Sequence, residues 1–225
     1  MKAFHNDQSI KDKYVKRVIA HQASDNLIRG TGWANGRGCA VGCTLENYDH
    51  SRYPIELGIP EWLARVEDTL FDGMSLEKSK TWPEVFLKSI TVGDDLERVK
   101  APFLIMVLES VLQTFDHDKN PEVVKAINGS IALWKREDIG SDDWNEAAES
   151  AAWAAEAAEA VGAAALAARA VWAAAWAAEE AGAVWAVAWA VGAAEAAGAV
   201  WAVEATGAAK YDYFADQLIE IIKKV

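Results

Sequence analysis

At 225 residues the chain fits one large domain or two small ones, and its 52% apolar and 25% charged residues exclude an intrinsically disordered or collagen-like protein. The net charge of -12 excludes a generic DNA or RNA binder, because phosphate affinity is built from clustered Lys and Arg and no basic stripe is visible. Residues 1–50 carry a net +2, 51–100 a net -3, 101–150 a net -6 and 151–225 a net -5, an asymmetry for which solubility is the plainest reason.

Helical patterns run through nearly the whole chain. Ile10, Tyr14, Val18 and Ile28 keep a stripe that predicts a first helix with Ser9 as its N-cap and Gly30 as its stop. From Gly30 to Gly42 five glycines fall in thirteen residues, which predicts a loop with unusual backbone angles or a close backbone approach. Pro60 then opens a helix that puts Leu63, Val66 and Leu70 on one side before Gly73. Within it, the pair Glu67 and Asp68 reads as solvated charge. The stretch from Leu76 to Ile90 is divided by Pro83, with a restart at Thr81. Asp94 and Asp95 introduce a helix whose run Phe103 to Leu108 is its most buried part. Asn120 and Pro121 form a cap and first residue for another, ending near Gly140.

Beyond Ser141 there is no proline, and alanine fills 34 of the 63 positions from Ala147 to Ala209. Alanine is the best helix former, so this region is predicted helical. A single helix of some eighty residues would be roughly 120 Å long, so a fold-back at the glycines is expected. Trp172 and Trp176, then Trp185 and Trp189, are i,i+4 pairs on helical faces. They read as packing bulk between alanine seams, or as a groove that stacks on a ligand with Glu179, Glu180 and Glu195 as an acidic rim. The fold class is therefore all-α: a helical part of residues 1–140, with the Gly/Cys-rich loop at 30–43, packed on an alanine- and tryptophan-rich hairpin or bundle of residues 141–225.

The chemistry is concentrated at Gly36-Arg37-Gly38-Cys39-Ala40-Val41-Gly42-Cys43. Cysteines four apart share a face if this becomes a helix, and a thiol at a helix N-terminus has a lowered pKa. Three readings stay open. Cys39 or Cys43 is a nucleophile with His21 or His50 as base and Asp25 as orienter; or Cys39, Cys43, His21 and His50 hold zinc; or the thiols are buried and structural, the reading we favour. Arg37 and Gly38, with Arg29, also suit an anion such as phosphate, although no P-loop or dinucleotide fingerprint is present. With two cysteines, no secretory layout in MKAFHNDQ and no uninterrupted apolar run of ~18 residues, a cytoplasmic protein without a membrane span is expected.

MKAFHNDQSIKDKYVKRVIAH, the GRGCAVGCTLENYDH block, YPIELGIPEWLARVEDTLFDGM, KTWPEVFLKSITVG and the tail ending in DQLIEII resemble, in that order, an alanine-rich family found in bacteria and in phage or prophage genomes. The family carries no assigned activity, so the resemblance implies a bacterial or phage context and no mechanism. From residue 118 onward, Pro121-Glu122, Ala126-Ile127 and Trp134 are similar to immunity proteins of bacterial toxin systems, which implies protein binding. The expectation is a noncatalytic binding protein, with a protein partner or small ligand, no resident cofactor, and no nucleic acid or membrane. A Cys–His enzyme or zinc protein centred on Cys39 and Cys43 is the alternative.

Overall fold

A computed structural model describes residues 1–113, 116–136 and 203–225. Among them the protein is all-α, with nine α-helices, two short 3-10 turns and one two-stranded ribbon. The helices are α1 (Gln8–Ala23), α2 (Ala40–Leu45), α3 (Arg52–Leu57), α4 (Glu61–Gly73), α5 (Leu76–Ser79), α6 (Trp82–Ser89), α7 (Lys100–Val111), α8 (Pro121–Trp134) and α9 (Val203–Ile222). The expected hairpin, with Trp172, Trp176, Trp185, Trp189, Glu179, Glu180 and Glu195, lies outside the described residues, as does the boundary expected at residue 140. The chain divides into two compact units, Met1–Lys100 with Tyr211–Val225, and Ala101–Lys210.

In the first unit, α1 starts two residues earlier than the expected Ser9 cap. Asp7 is the N-cap, and its carboxylate accepts from the Ser9 N–H at 2.8 Å. The helix also ends at Ala23, well short of the Gly30 stop. Past it the backbone finds other partners: Asp25 is left-handed (φ 53), Gly38 N–H donates to Asn26 at 3.0 Å, and Ile28 N–H donates to Gly38 at 2.8 Å. These two bonds make Leu27 the bridge partner of Gly38, so Ile28 lies in extended chain against the glycine loop and not on the α1 stripe.

That loop holds an antiparallel ribbon, β1 (Trp33–Ala34) and β2 (Arg37–Gly38), turning through Asn35 and Gly36, both at positive φ. The glycines allow two backbone segments to touch. A Cβ on Gly42 would stand 1.8 Å from the Gly32 carbonyl oxygen, and one on Gly38 would stand 2.2 Å from the same atom. So α2 is drawn directly against the loop, with every residue from Ala40 to Leu45 buried.

Apolar burial then assembles the unit. Helix α4 contributes Trp62, Leu63, Val66, Leu70 and Phe71, and α6, with Pro83 in its first turn after Thr81, contributes Trp82, Phe86 and Leu87. Phe4, Tyr14, Val18, Tyr53 and Leu57 complete this core, joined from the far end of the sequence by Phe214, Ala215, Leu218 and Ile222 of α9. The α9 segment is fixed by the Asp212 carboxylate, which accepts from the Ser75 N–H at 3.0 Å, and by Lys78, which pairs with Asp216.

A 3-10 turn at Leu96–Val99 closes the first stretch of the first unit and leads into α7, where Pro102 sits in the first turn and breaks no hydrogen bond; in the second unit, from Ala101 on, the apolar run of α7 is inside. Phe103, Leu104, Val107 and Leu108 are buried as the run predicts. Helix α8 begins at Pro121 after Asn120 and ends at Trp134, with Val123, Ile127 and Ile131 inside. No described helix is long and apolar enough to cross a membrane.

Candidate functional site

Both candidate sites lie in the first unit and share the glycine loop as a wall. One is a buried polar cluster behind the loop and the other a pocket in front of it.

The cluster forms because α2, the 46–51 connection and α4 meet behind Gly32. Cys39 is the N-cap of α2, and its sulfur accepts from the Gly42 N–H at 3.4 Å while its own proton is directed to the Gly32 carbonyl at 3.5 Å. Cys43, one turn on, points its thiol at the Gly38 carbonyl at 3.4 Å. The Asp68 carboxylate of α4 accepts from the Tyr48 hydroxyl at 3.1 Å, lies 3.2 Å from the His50 Nε2, and acts on the Cys39 thiol. At the adjacent position of α4, Glu67 accepts from the Tyr53 hydroxyl at 2.7 Å. The other oxygens of the two acids, Glu67 Oε1 and Asp68 Oδ1, are buried without a hydrogen-bond partner.

Burial dominates the electrostatics of this cluster. It pushes the Cys39 thiol far above its ordinary value, and the Asp68 charge pushes it further. It pushes Cys43 up to about 11 and Tyr48 up to about 12. Glu67 rises well above the ordinary carboxyl range for the same reason. The expected lowering of a thiol pKa at a helix N-terminus is therefore overturned, because removing a thiolate from water outweighs one short helix end and one N–H donor.

The partners expected for the thiols are differently engaged. His21 packs edge-on against Trp33, 5.4 Å between ring centres, lies 3.6 Å from Glu46, and meets the Asn26 amide at 3.5 Å. Asp25 has left the helix, so it does not stand one turn above His21, and its carbonyl accepts from Arg37. His50 pairs with Asp68, while neighbouring Asp49 caps Ser51. Cys39, Cys43, His21 and His50 do not come together as metal ligands, and no group of three or more His, Cys, Asp or Glu residues among those described has that geometry.

Glu67 and Asp68 correct the sequence reading as well: they are 0% and 6% exposed, not solvated. The signal was present, since Glu67 stands four residues from both Leu63 and Phe71 on the apolar stripe of α4. Tyr48 and Tyr53 carried no local signal.

The pocket, of about 570 Å³, opens between the end of α1, the 27–29 segment, the ribbon and α5. Leu27, Ile28 and Leu76 supply apolar surface, and Arg29, Arg37, Lys80 and Asp25 supply charge. Arg29 is held by its Nη1, which donates to the Met74 carbonyl at 2.6 Å. Arg37 is held by its Nη2, which donates to the Asp25 carbonyl at 2.9 Å. On the other side of the same segment lies a shallower cleft of about 420 Å³ that includes Lys13, Lys16, Arg17, His21 and Glu46. The expected site residues Arg37 and Asp25 thus meet at one pocket, while Gly38 serves the packing of the wall. No family model, no curated protein and no solved structure matches the chain.

Proposed function

We propose that the protein is a noncatalytic binding protein whose ligand occupies the pocket between α1, the glycine loop and α5. The observation that carries this reading is the pocket itself: a preformed concavity with an apolar lining and a few fixed polar groups is the usual form of a small-ligand site, and Leu27, Ile28 and Leu76 stand there beside two tethered guanidinium groups. The Cys–His enzyme reading has less support, because a nucleophilic cysteine needs an accessible thiolate and both thiols are buried and held neutral. A bacterial or phage context is part of the proposal and rests on the resemblance of the GRGCAVGC and YPIELGIP blocks.

The test is a small-molecule fragment screen on the isotopically labelled full chain, read by chemical shift. Binders should move the methyl signals of Leu27, Ile28 and Leu76 together. A screen whose binders all leave those three methyls unmoved sinks the proposal.

A further inference from the structure

The pocket carries an unusual charge for this protein. Its chain is strongly acidic, at -12, yet the lining holds Arg29, Arg37 and Lys80 against the single carboxylate of Asp25. Three cations and one anion leave a formal +2. Asp72 also acts on Arg29, but it lies outside the lining, and its Oδ1 accepts from the Gly30 N–H.

The cations are also prepared to receive something. A guanidinium has five N–H donors in a fixed fork; Arg29 directs its Nη1 to the Met74 and Asp72 carbonyls, and Arg37 its Nη2 to the Asp25 carbonyl. Those bonds fix the planes of the two forks and leave further donors unspent, which lowers the ordering cost of binding. Lys80 is exposed at the end of α5; its backbone N–H donates to the Lys78 carbonyl, and its ammonium makes no hydrogen bond or ion pair among the described residues. Beside them Leu76 is 65% exposed, a large apolar side chain left in water at the pocket.

We infer that the pocket takes a phosphate monoester with an apolar body, its dianionic head held by Arg29, Arg37 and Lys80 and its body lying on Leu27, Ile28 and Leu76. The inference rests on the binding reading above and names the ligand class for that same site. A phosphate monoester carries about -1.5 to -2 at neutral pH and three acceptor oxygens, which matches the +2 of the lining. Planar forks give such a head directional, charge-assisted hydrogen bonds. The three apolar residues discriminate against bare inorganic phosphate, which has nothing to cover them.

Phenyl phosphate, benzyl alcohol and inorganic phosphate serve as probes, each titrated into the labelled full chain. Phenyl phosphate should move the Leu76 methyls and the Gly30 and Gly38 amides. Its Kd should rise about tenfold in Lys80→Ala, the loss of one charge-assisted contact, and should rise with added salt. Lys80 is exposed, so the variant folds, and its unperturbed spectrum away from the pocket checks this. Benzyl alcohol binding as tightly as phenyl phosphate, without salt dependence, overturns the dianion while leaving the pocket reading standing. Inorganic phosphate binding as tightly as phenyl phosphate overturns the apolar body. If none of the three moves a pocket signal while fragments of other chemistry do, the ligand class is wrong; if no compound does, the binding reading falls with it.

Discussion

At the scale of single residues, burial decides the chemistry of the cluster behind the loop. Moving Cys43 from an ordinary 9.0 to about 11 lowers its thiolate population about a hundredfold near pH 8, and Cys39 is suppressed further. Alkylation by iodoacetamide at that pH should therefore be slow in the native protein and fast once urea exposes both thiols; equal rates contradict the buried placement. Glu67 supplies a second expectation. Its folded pKa lies above its ordinary 4.5, so the folded state retains a proton that the unfolded chain releases. Folding then takes up that proton, and stability is fully present below about pH 4.5 and declines as pH rises through the folded value. Glu67→Gln removes the titration, so its urea-unfolding free energy should fall less steeply than that of the parent between about pH 5 and pH 7. A parallel slope in the two proteins would count against the assignment.

Among the elements, the helix beginnings were legible because proline acts locally. Pro60, Pro83 and Pro121 each mark a start that the structure shows, at Glu61, Trp82 and Pro121. The end of α1 was not, because the alternative for residues 26–28 is a pairing with Gly38, ten or more positions away, which no local pattern encodes. Glycine content announced a close approach without saying which glycine carries it. Gly42 does: a Cβ there meets the Gly32 carbonyl oxygen at 1.8 Å, whereas one on Gly36 meets nothing within 4 Å. Gly42→Ala should force α2 off the loop and cost about 3 kcal/mol or more, because the obstacle is backbone, visible as a lowered Tm. Gly36→Ala should cost about 1–2 kcal/mol, from its positive φ alone. Equal losses, or a smaller one at Gly42, would refute the close-packed wall.

For the whole molecule, an all-α fold follows from composition and periodicity, whereas the candidate site comes from distance in sequence. The glycine loop suggests an anion site at Arg29 and Arg37, but Leu76 and Lys80 enter only because α5 lies across the same opening. His50 and Asp68 meet in the same way, eighteen residues apart. The first unit is itself assembled non-locally, from Met1–Lys100 and Tyr211–Val225. Phe214, fully buried, should act as part of that core, and Phe214→Ala should cost about 3–5 kcal/mol, read by urea denaturation. A loss near zero would show that the α9 segment is dispensable to the unit. That discontinuity bears on biosynthesis. A ribosome adds about 5–20 residues per second, so the residues from Ala101 to Lys210 take roughly 5–20 s to make at that pace. Throughout this interval the ground around Gly73, Ser75 and Lys78, where Tyr211, Asp212 and Asp216 later dock, stands open to water. The nascent unit waits with a vacant berth beside its pocket-forming helix α5, and a chain interrupted anywhere in between never fills it.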